Sequence, residues 1–200
     1  MQIYLIRHGL TEANKHFRYA GRTDVPLCAE GIAAAEAVGG ICEVKEVYVT
    51  PLIRTQQTAR ILFPEAEQRI IPELQEMDFG DFENRNAQEM ENDAAYRAWV
   101  DSDCLTPCPN GESMDSFAER VCAGFTQCIE AHQEKGTPAV FVVHGGTIMS
   151  ILQRFGRPAL SFYDAHVRNC HGFSCVLSEG EGELPFTLTE LTHFERLHLV

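Results

Sequence analysis

Two arginines and two histidines of this sequence stand where they could act together on a phosphate group. Arg7 and His8 follow directly on the first predicted strand. Arg54 lies shortly after the second strand, and His144 follows the most apolar run of the chain. Arginine offers planar, permanently charged N–H groups that match the oxygens of a phosphate dianion. A neutral histidine can attack phosphorus, and a second histidine can donate a hydrogen bond to the charge that gathers during transfer.

His8 is the candidate nucleophile. The positive charges of Arg7 and, in space, of Arg54 lower the pKa of a neighbouring histidine below its ordinary value of about 6.5. His8 is then neutral at pH 7 and has a lone pair that can attack phosphorus. His144 would donate to the phosphate oxygens, and Gly145 after it lets the backbone approach a ligand closely.

A leaving alkoxide needs a proton, and the acidic segment after residue 74 offers a donor. Apolar residues lie close to Glu76 in the sequence, and partial burial near bound phosphate would raise its pKa, as a general acid requires. Spacing alone does not separate this glutamate from three other carboxyl groups in the same segment: Asp78, Asp81 and Glu83.

Strands and helices alternate along the chain and must position these groups. Strands are predicted at 2–6, 46–49, 69–71, 139–143, 173–177 and 186–191, and helices at 29–39, 52–63, 113–134 and 147–155. This alternation predicts an α/β fold, with a mostly parallel central sheet and helices on both faces. Ligands of such sheets bind beyond the carboxyl ends of the strands, and both histidines and Arg54 fall there.

The segment 75–110 differs from the rest because it is acidic and polar, with one helical stretch near 88–100. We interpret it as a small loop-and-helix insert within a single domain that spans residues 1–200. Specificity for the leaving group is expected to lie in the part of this insert around 83–108, together with Arg18, Tyr19 and Arg22.

Composition narrows the class of protein. The 200 residues are 44% hydrophobic and 22% charged, which is typical of a globular chain. The net charge of −13 argues against a nucleic-acid partner. It does not exclude an anionic metabolite, since remote charges are screened beyond about 8 Å at physiological salt. No apolar run approaches the roughly 20 residues of a membrane helix, and the N-terminus lacks the basic start of a signal peptide.

The eight cysteines include no C-x-x-C pair. We expect reduced, structural thiols in a cytoplasmic protein rather than disulfides or a zinc site. No cluster of His, Cys and Asp has the spacing of metal ligands, so neither a metal nor another cofactor is expected.

Six blocks in a fixed order resemble those of the histidine phosphatase superfamily, in the branch that contains phosphoglycerate mutases and α-ribazole-phosphate phosphatases. The blocks are LIRHG (5–9) with Thr11 and Asn14, GRTDVPL (21–27) with Gly31, PLIRTQQTA (51–59), LQEMDFGDFE (74–83), PNGES (109–113) and VHGG (143–146). Together they cover nearly the whole chain.

The resemblance implies a three-layer αβα sandwich and a phosphohistidine intermediate on His8, with Glu76 as the proton donor and no metal. It implies that the substrate is a small phosphorylated metabolite. The groups that would contact its phosphate are Arg7, Asn14, Gly21, Arg54, His144 and Gly145.

Departures from the mutases favour hydrolysis over isomerisation. Arg22 stands where mutases usually carry an aromatic residue, and Asn84 replaces a usual glycine. The mutases' arginines for a sugar-acid carboxylate are not recognisable in 83–108, which holds only Arg85 and Arg97. A mutase and an inactive module that binds phosphorylated ligands remain the alternatives. The alcohol of the substrate stays open between α-ribazole, a sugar and an amino acid, as does the oligomeric state.

Overall fold

A six-stranded sheet organises the protein, and its computed structural model describes residues 1–197. The strands are β1 (Gln2–Arg7), β2 (Glu46–Val49), β3 (Glu67–Ile70), β4 (Ala139–Val143), β5 (Gly172–Glu179) and β6 (Phe186–Phe194). Their order across the sheet is β3-β2-β4-β1-β5-β6. The four strands from β3 to β1 run parallel, whereas β5 is antiparallel to both of its neighbours. The prediction of a mostly parallel sheet is confirmed.

Six α-helices accompany the sheet within residues 1–197. They are α1 (Glu12–Lys15), α2 (Ala29–Val38), α3 (Ile53–Leu62), α4 (Ala94–Asp101), α5 (Met114–His132) and α6 (Gly145–Phe155). No helix in the part of the chain that the structure describes has the length and apolar character needed to cross a membrane.

Alternating side chains of the strands produce two separate cores. Leu5 of β1 packs in one cluster with residues of α5 and α6, while Tyr4 and Ile6 pack in a second cluster with Ala35 of α2 and Ala59 of α3. Successive side chains of a strand point to opposite faces, so both faces of the sheet are covered. The result is the expected three-layer αβα arrangement.

Several elements differ in extent from those predicted. Helix α6 begins at Gly145 rather than at residue 147, and the helix near 88–100 is restricted to Ala94–Asp101. The third strand covers Glu67–Ile70 instead of 69–71. Glycine lowers helix propensity, which obscured the start of α6. At Gly146 any Cβ would lie 2.4 Å from Glu76 Oε1, so close packing explains why glycine stands there.

The segment 75–110 shares the core of the larger body. Phe82, Tyr96, Trp99 and Cys108 are buried in the same cluster as the helix α5. This packing holds the segment over the sheet edge at which β1, β2 and β4 end.

Candidate active site

Three adjacent parallel strands bring the candidate residues together. Arg7 at the end of β1 pairs in register with Val143 at the end of β4, and β2 ends on the other side of β4. The rings of His8 and His144 therefore lie with their centroids 5.3 Å apart. Both histidines and Arg54 are buried. The edge predicted from the strand ends is the place where these side chains meet.

The hydrogen bonds of His8 determine which ring nitrogen is free. His8 Nδ1 lies 2.7 Å from the carbonyl oxygen of Gly9. A carbonyl oxygen only accepts, so Nδ1 carries the hydrogen and Nε2 of the neutral ring keeps a lone pair. The backbone N–H of Gly9 donates to Thr58 Oγ1 at 2.8 Å, and that of His8 donates to Val143 O at 2.9 Å. These bonds hold the residue to α3 and β4.

Burial is the main cause that lowers the pKa of His8 well below its ordinary value, and the charges of Arg54 and Arg7 lower it further. The lowering of the His8 pKa by the two arginines was predicted from the sequence, whereas the larger lowering by burial was not. The pKa of His144 is also lowered well below its ordinary value, again mainly by burial and then by Arg54. Both rings are therefore neutral at pH 7.

His144 forms the N-cap of α6 and contacts two partners through its ring. Arg54 Nε donates to His144 Nδ1 at 3.3 Å, and His144 Nε2 lies 3.0 Å from Thr50 Oγ1. Because Nδ1 accepts, the hydrogen of the neutral ring is on Nε2 and is donated to Thr50. Sequence reasoning missed this threonine, although it occupies a strand end directly before Pro51.

A clamp of backbone carbonyls fixes Arg54. Its Nη1 donates to Thr23 O at 2.9 Å, and its Nη2 donates to Ala20 O at 3.1 Å and Gly21 O at 2.8 Å. Burial lowers the pKa of Arg54 to about 10, which still leaves the guanidinium charged at pH 7. These hydrogen bonds fix the orientation of the Arg54 guanidinium in the first turn of α3, beyond the end of β2.

Arg7 brings a second cation with an unsatisfied donor. Its Nη1 donates to Val167 O at 2.7 Å, whereas its Nε is buried and has no hydrogen-bond partner within residues 1–197. A buried unpaired donor costs roughly 1–3 kcal/mol, and more when it is charged. A Cβ at Gly145 would lie 3.5 Å from Arg7 Cζ, so this glycine lies against the guanidinium. An anion beside Arg7 would satisfy the free N–H.

Glu83 anchors the loop that forms the clamp. Its carboxylate accepts from the backbone N–H groups of Gly21, Arg22, Thr23 and Phe79 and from the Thr23 hydroxyl. Five donors fill the two oxygens of Glu83, compared with one backbone N–H at each oxygen of Glu76, so Glu83 has a structural role in this arrangement.

Gly21 lies at the same place, with its N–H directed to Glu83 and its carbonyl to Arg54. A Cβ there would lie 1.7 Å from Met77 O, so no larger residue fits. The expectation that the Gly21 backbone contacts phosphate stays a prediction.

Glu76 differs from the other carboxyl groups of its segment. Its Oε2 accepts from the backbone N–H of Gly146 at 3.0 Å, at the start of α6. Burial lowers the pKa of both Arg7 and Arg54, and the charge of Glu76 offsets part of that lowering at each, which places Glu76 near both cations. Asp81 is exposed and bonded to the Asn110 side chain.

Asn14 and Asn169 lie beside the nucleophile loop. Asn169 Nδ2 donates to His8 O at 3.0 Å, to Gly9 O at 3.3 Å and to Asn14 Oδ1 at 3.1 Å. Asn14 Oδ1 also accepts from Thr11, so its Nδ2 group is the part that can donate to a ligand. Asn169 is separated from His8 by 161 positions and follows no predicted strand, so the sequence offered no signal for it.

One group of possible metal ligands occurs among the described residues. Side-chain atoms of Glu12, Cys28 and Glu30 lie within 4.8 Å of one another. Lys15 Nζ contacts Glu30 Oε1 at 2.8 Å and Glu12 Oε1 at 3.3 Å, so an ammonium group already balances these carboxylates. The group contains none of the residues that surround His8.

A neutral histidine with a free lone pair, two fixed arginines, a second histidine and a nearby carboxyl group can transfer a phosphoryl group between oxygen and nitrogen. With the αβα fold, this site indicates an enzyme that acts on phosphate esters.

Comparisons with known proteins agree. The model of the histidine phosphatase superfamily (branch 1) matches residues 3–186, and the chain belongs to this superfamily. It is 31% identical over 193 residues to the Adenosylcobalamin/alpha-ribazole phosphatase of Salmonella typhimurium, covering 88% of this chain and 94% of that protein. It is 33% identical over 180 residues to the protein named Probable phosphoglycerate mutase GpmB of Enterobacter sp., covering 85% and 82%. The crystal structure of the α-ribazole phosphatase from Shigella flexneri superposes with a TM-score of 0.81, at 27% identity and with 100% of both chains covered.

Proposed function

We propose that this protein is a metal-independent phosphatase that hydrolyses a small phosphomonoester through a phosphohistidine on His8. The observation that carries the proposal is the hydrogen bond from His8 Nδ1 to Gly9 O, since it leaves the Nε2 lone pair available in a buried, cationic site. Membership of the histidine phosphatase superfamily supports the same chemistry.

The reaction has two steps. His8 Nε2 forms a bond to phosphorus while the bond from phosphorus to the alcohol oxygen breaks, and Glu76 donates its proton to the departing oxygen. Water then attacks the phosphorus of the phosphohistidine, Glu76 takes a proton from that water, and the N–P bond breaks. Inorganic phosphate and the free alcohol are the products.

Arginine charge replaces a metal in this proposal. Arg7 has an unpaired buried Nε that can donate to a phosphate oxygen without reorganising. Arg54 is held by three backbone carbonyls, and its Nε–H can pass from His144 to a phosphate oxygen. Asn14 Nδ2 and the backbone near Gly21 and Gly145 would supply further donors.

Thr50 can form a hydrogen bond with His144 Nε2 whether or not that nitrogen carries a hydrogen. A donor to phosphate needs its hydrogen on Nδ1, whereas the ring without a ligand carries it on Nε2. The Thr50 hydroxyl can accept from Nε2 or donate to it, so the Nε2 side of the ring is satisfied in both tautomers. A hydrogen on Nδ1 displaces the Nε–H of Arg54 that donates there, and this N–H then becomes available to phosphate. We propose that bound phosphate selects the tautomer with the hydrogen on Nδ1.

A phosphoglycerate-type mutase is the second candidate, because relatives with that name are as similar as the phosphatases. Hydrolysis is favoured by the segment that would meet the alcohol. Arg85 in this segment is paired with Asp93 at 3.0 Å, so a glycerate carboxylate would have to compete with Asp93 for it.

Turnover after exhaustive removal of metals tests the proposal. We expect release of inorganic phosphate from a simple alkyl phosphate to continue in the presence of a chelator. Conversion between phosphoglycerates should be far slower than phosphate release. Loss of activity that Mg²⁺ or Zn²⁺ restores, faster isomerisation than hydrolysis, or no turnover of any ester would each overturn the proposal.

We also propose that the enzyme acts in the cytoplasm. All eight cysteines are unpaired thiols, and burial raises the pKa of Cys128 and Cys108 to about 12. Unpaired thiols are compatible with the reducing conditions of that compartment.

A further inference from the structure

A cavity of about 290 Å³ adjoins the proposed proton donor, and its position identifies it as the site of the alcohol. Glu76 and Gly146, joined by a hydrogen bond, both line it. Glu76 must lie beside the departing oxygen to protonate it, so the carbon skeleton attached to that oxygen extends into this cavity. This step rests on the function proposed above.

The lining of the cavity is aromatic and sulfur-containing. Six of its twelve lining residues are aromatic, four carry sulfur, and Glu76 is the one carboxylate among them. Within the described part of the chain, none of the residues that line it is Arg, Lys or His. Representative members of the lining are Tyr19, Phe79, Trp99, Met149 and Phe162. Such a surface stabilises apolar groups and offers no charge to an anion.

The hydroxyl of Tyr19 contributes little polarity to the cavity because it is already paired. Its oxygen lies 2.9 Å from the Tyr96 hydroxyl, and the Tyr19 ring packs edge-to-face against Trp99 with centroids 5.7 Å apart. The ring rather than the hydroxyl is therefore the part of Tyr19 available to a ligand.

The arginines around this region are occupied by carboxylates. Arg18 Nη1 lies 2.9 Å from Glu89 Oε2. Arg120 Nε lies 2.7 Å from Glu112 Oε1, and Arg22 Nη2 lies 3.7 Å from the same oxygen. A second anionic group on the substrate would have to compete with these carboxylates for an arginine, and it would enter a lining that supplies no cation. Electrostatics therefore disfavour a carboxylate or second phosphate on the alcohol.

We propose that the enzyme selects phosphomonoesters whose alcohol is uncharged and largely apolar or aromatic, and that it discriminates against esters with a second anionic group. The size of the cavity agrees with a ring system, since an apolar cavity of about 150 Å³ holds one benzene ring. Twice that volume accommodates a fused pair of rings.

Three esters with the same kind of leaving oxygen test this selectivity. The naphthylethyl ester is 2-(1-naphthyl)ethyl phosphate and the carboxylate ester is 3-phosphooxypropionate. Both release a primary alkoxide, as ethyl phosphate does, so the need for protonation by Glu76 is matched across the three. We expect kcat/KM for the naphthylethyl ester to exceed that of ethyl phosphate roughly tenfold or more. The ester with the carboxylate should be poorer than ethyl phosphate.

Two Phe→Ala variants, one in the cavity lining and one outside it, provide a matched comparison. Phe162→Ala removes a half-buried ring from the cavity, and Phe17→Ala removes a ring that is 86% exposed and lies elsewhere. Phe162→Ala should raise KM for the naphthylethyl ester several-fold, because the ring contacts ground state and transition state alike, and should change ethyl phosphate turnover less than twofold. Phe17→Ala should change neither ester.

Two results would overturn the selectivity while leaving the phosphatase intact. One is equal or better turnover of phosphooxypropionate than of the naphthylethyl ester. The other is an equal effect of Phe162→Ala on the naphthylethyl and ethyl esters. Failure of the proposed function is distinguishable, because ethyl phosphate would then not be hydrolysed at all.

Discussion

The backbone N–H of Gly146 donates a hydrogen bond to Glu76 Oε2 across 3.0 Å. This bond attaches the proposed proton donor to the helix start that also carries His144. A side chain larger than hydrogen at position 146 would collide with Glu76. The positions of the proton donor and the second histidine are therefore coupled through one turn of backbone.

Replacing Glu76 should have an effect that depends on the leaving group. A general acid contributes about 10²–10⁴-fold, but only when the departing oxygen needs a proton. Glu76→Gln should therefore slow phosphoenzyme formation severely with an alkyl phosphate and far less with p-nitrophenyl phosphate. Single-turnover kinetics measure this step without the later attack by water.

Asp78→Asn and Asp81→Asn are the controls for this experiment, since both keep size and lie in the same segment. Neither should distinguish the two esters. If Glu76→Gln slows both esters equally, or if a control distinguishes them, another group supplies the proton.

Much of the site could be predicted because it depends on strand ends. Apolar runs that alternate with helices predicted parallel strands, and parallel strands bring their carboxyl ends to one edge. His8, Arg54 and His144 follow three such runs and do meet there. The local sequence around each of these residues was therefore enough to predict that they meet at one edge of the sheet.

Other contacts join residues that are far apart in the sequence, and no local pattern predicts which of them meet in the fold. Asn169 reaches His8 from a loop before β5, and Glu83 is occupied by N–H groups from about 60 positions earlier in the chain. The sequence left Glu83 open as an acid because its type is the same whether it caps a loop or faces a substrate. The short helix Glu12–Lys15 was not predicted either, since four residues are too few for a periodic pattern.

Thr50 should act as a positioning residue through His144. Thr50→Val keeps the shape but removes the hydroxyl that partners His144 Nε2, so the ring loses its means of presenting Nδ1–H to phosphate. We expect kcat to fall roughly 10²-fold, comparable to the loss of one donor to transition-state charge. Thr50→Ser retains the hydroxyl and should restore most of the activity.

The KM for substrate and the melting temperature distinguish this role from a structural one. Thr50→Val should change both much less than kcat. Equal damage from Val and Ser, or loss confined to stability, would show that the hydroxyl does not act through the ring.

Buried neutral histidines make stability depend on pH in a defined direction. The pKa of folded His8 lies well below 6.5, whereas the unfolded chain regains a value of about 6.5. Between these values the unfolded state binds more protons, so the free energy of unfolding decreases as pH falls below about 6.5. His8 contributes at most about 1.4 kcal/mol per pH unit to this slope.

Urea unfolding at a series of pH values from about 7.5 downward measures the slope. His8→Asn should make it shallower than in the unsubstituted protein. His16→Asn, which removes an exposed histidine, should leave it unchanged. Parallel curves for His8→Asn and the unsubstituted protein would contradict the lowered pKa.

Rapid-quench trapping of the phosphoenzyme tests directly whether His8 is the nucleophile. With a ³²P-labelled ester, we expect one alkali-stable, acid-labile phosphoryl group per chain, located on His8. His8→Ala should abolish both the label and turnover, while His16→Asn should retain both. A label on any other residue, or full turnover by His8→Ala, would show that His8 does not carry the phosphoryl group.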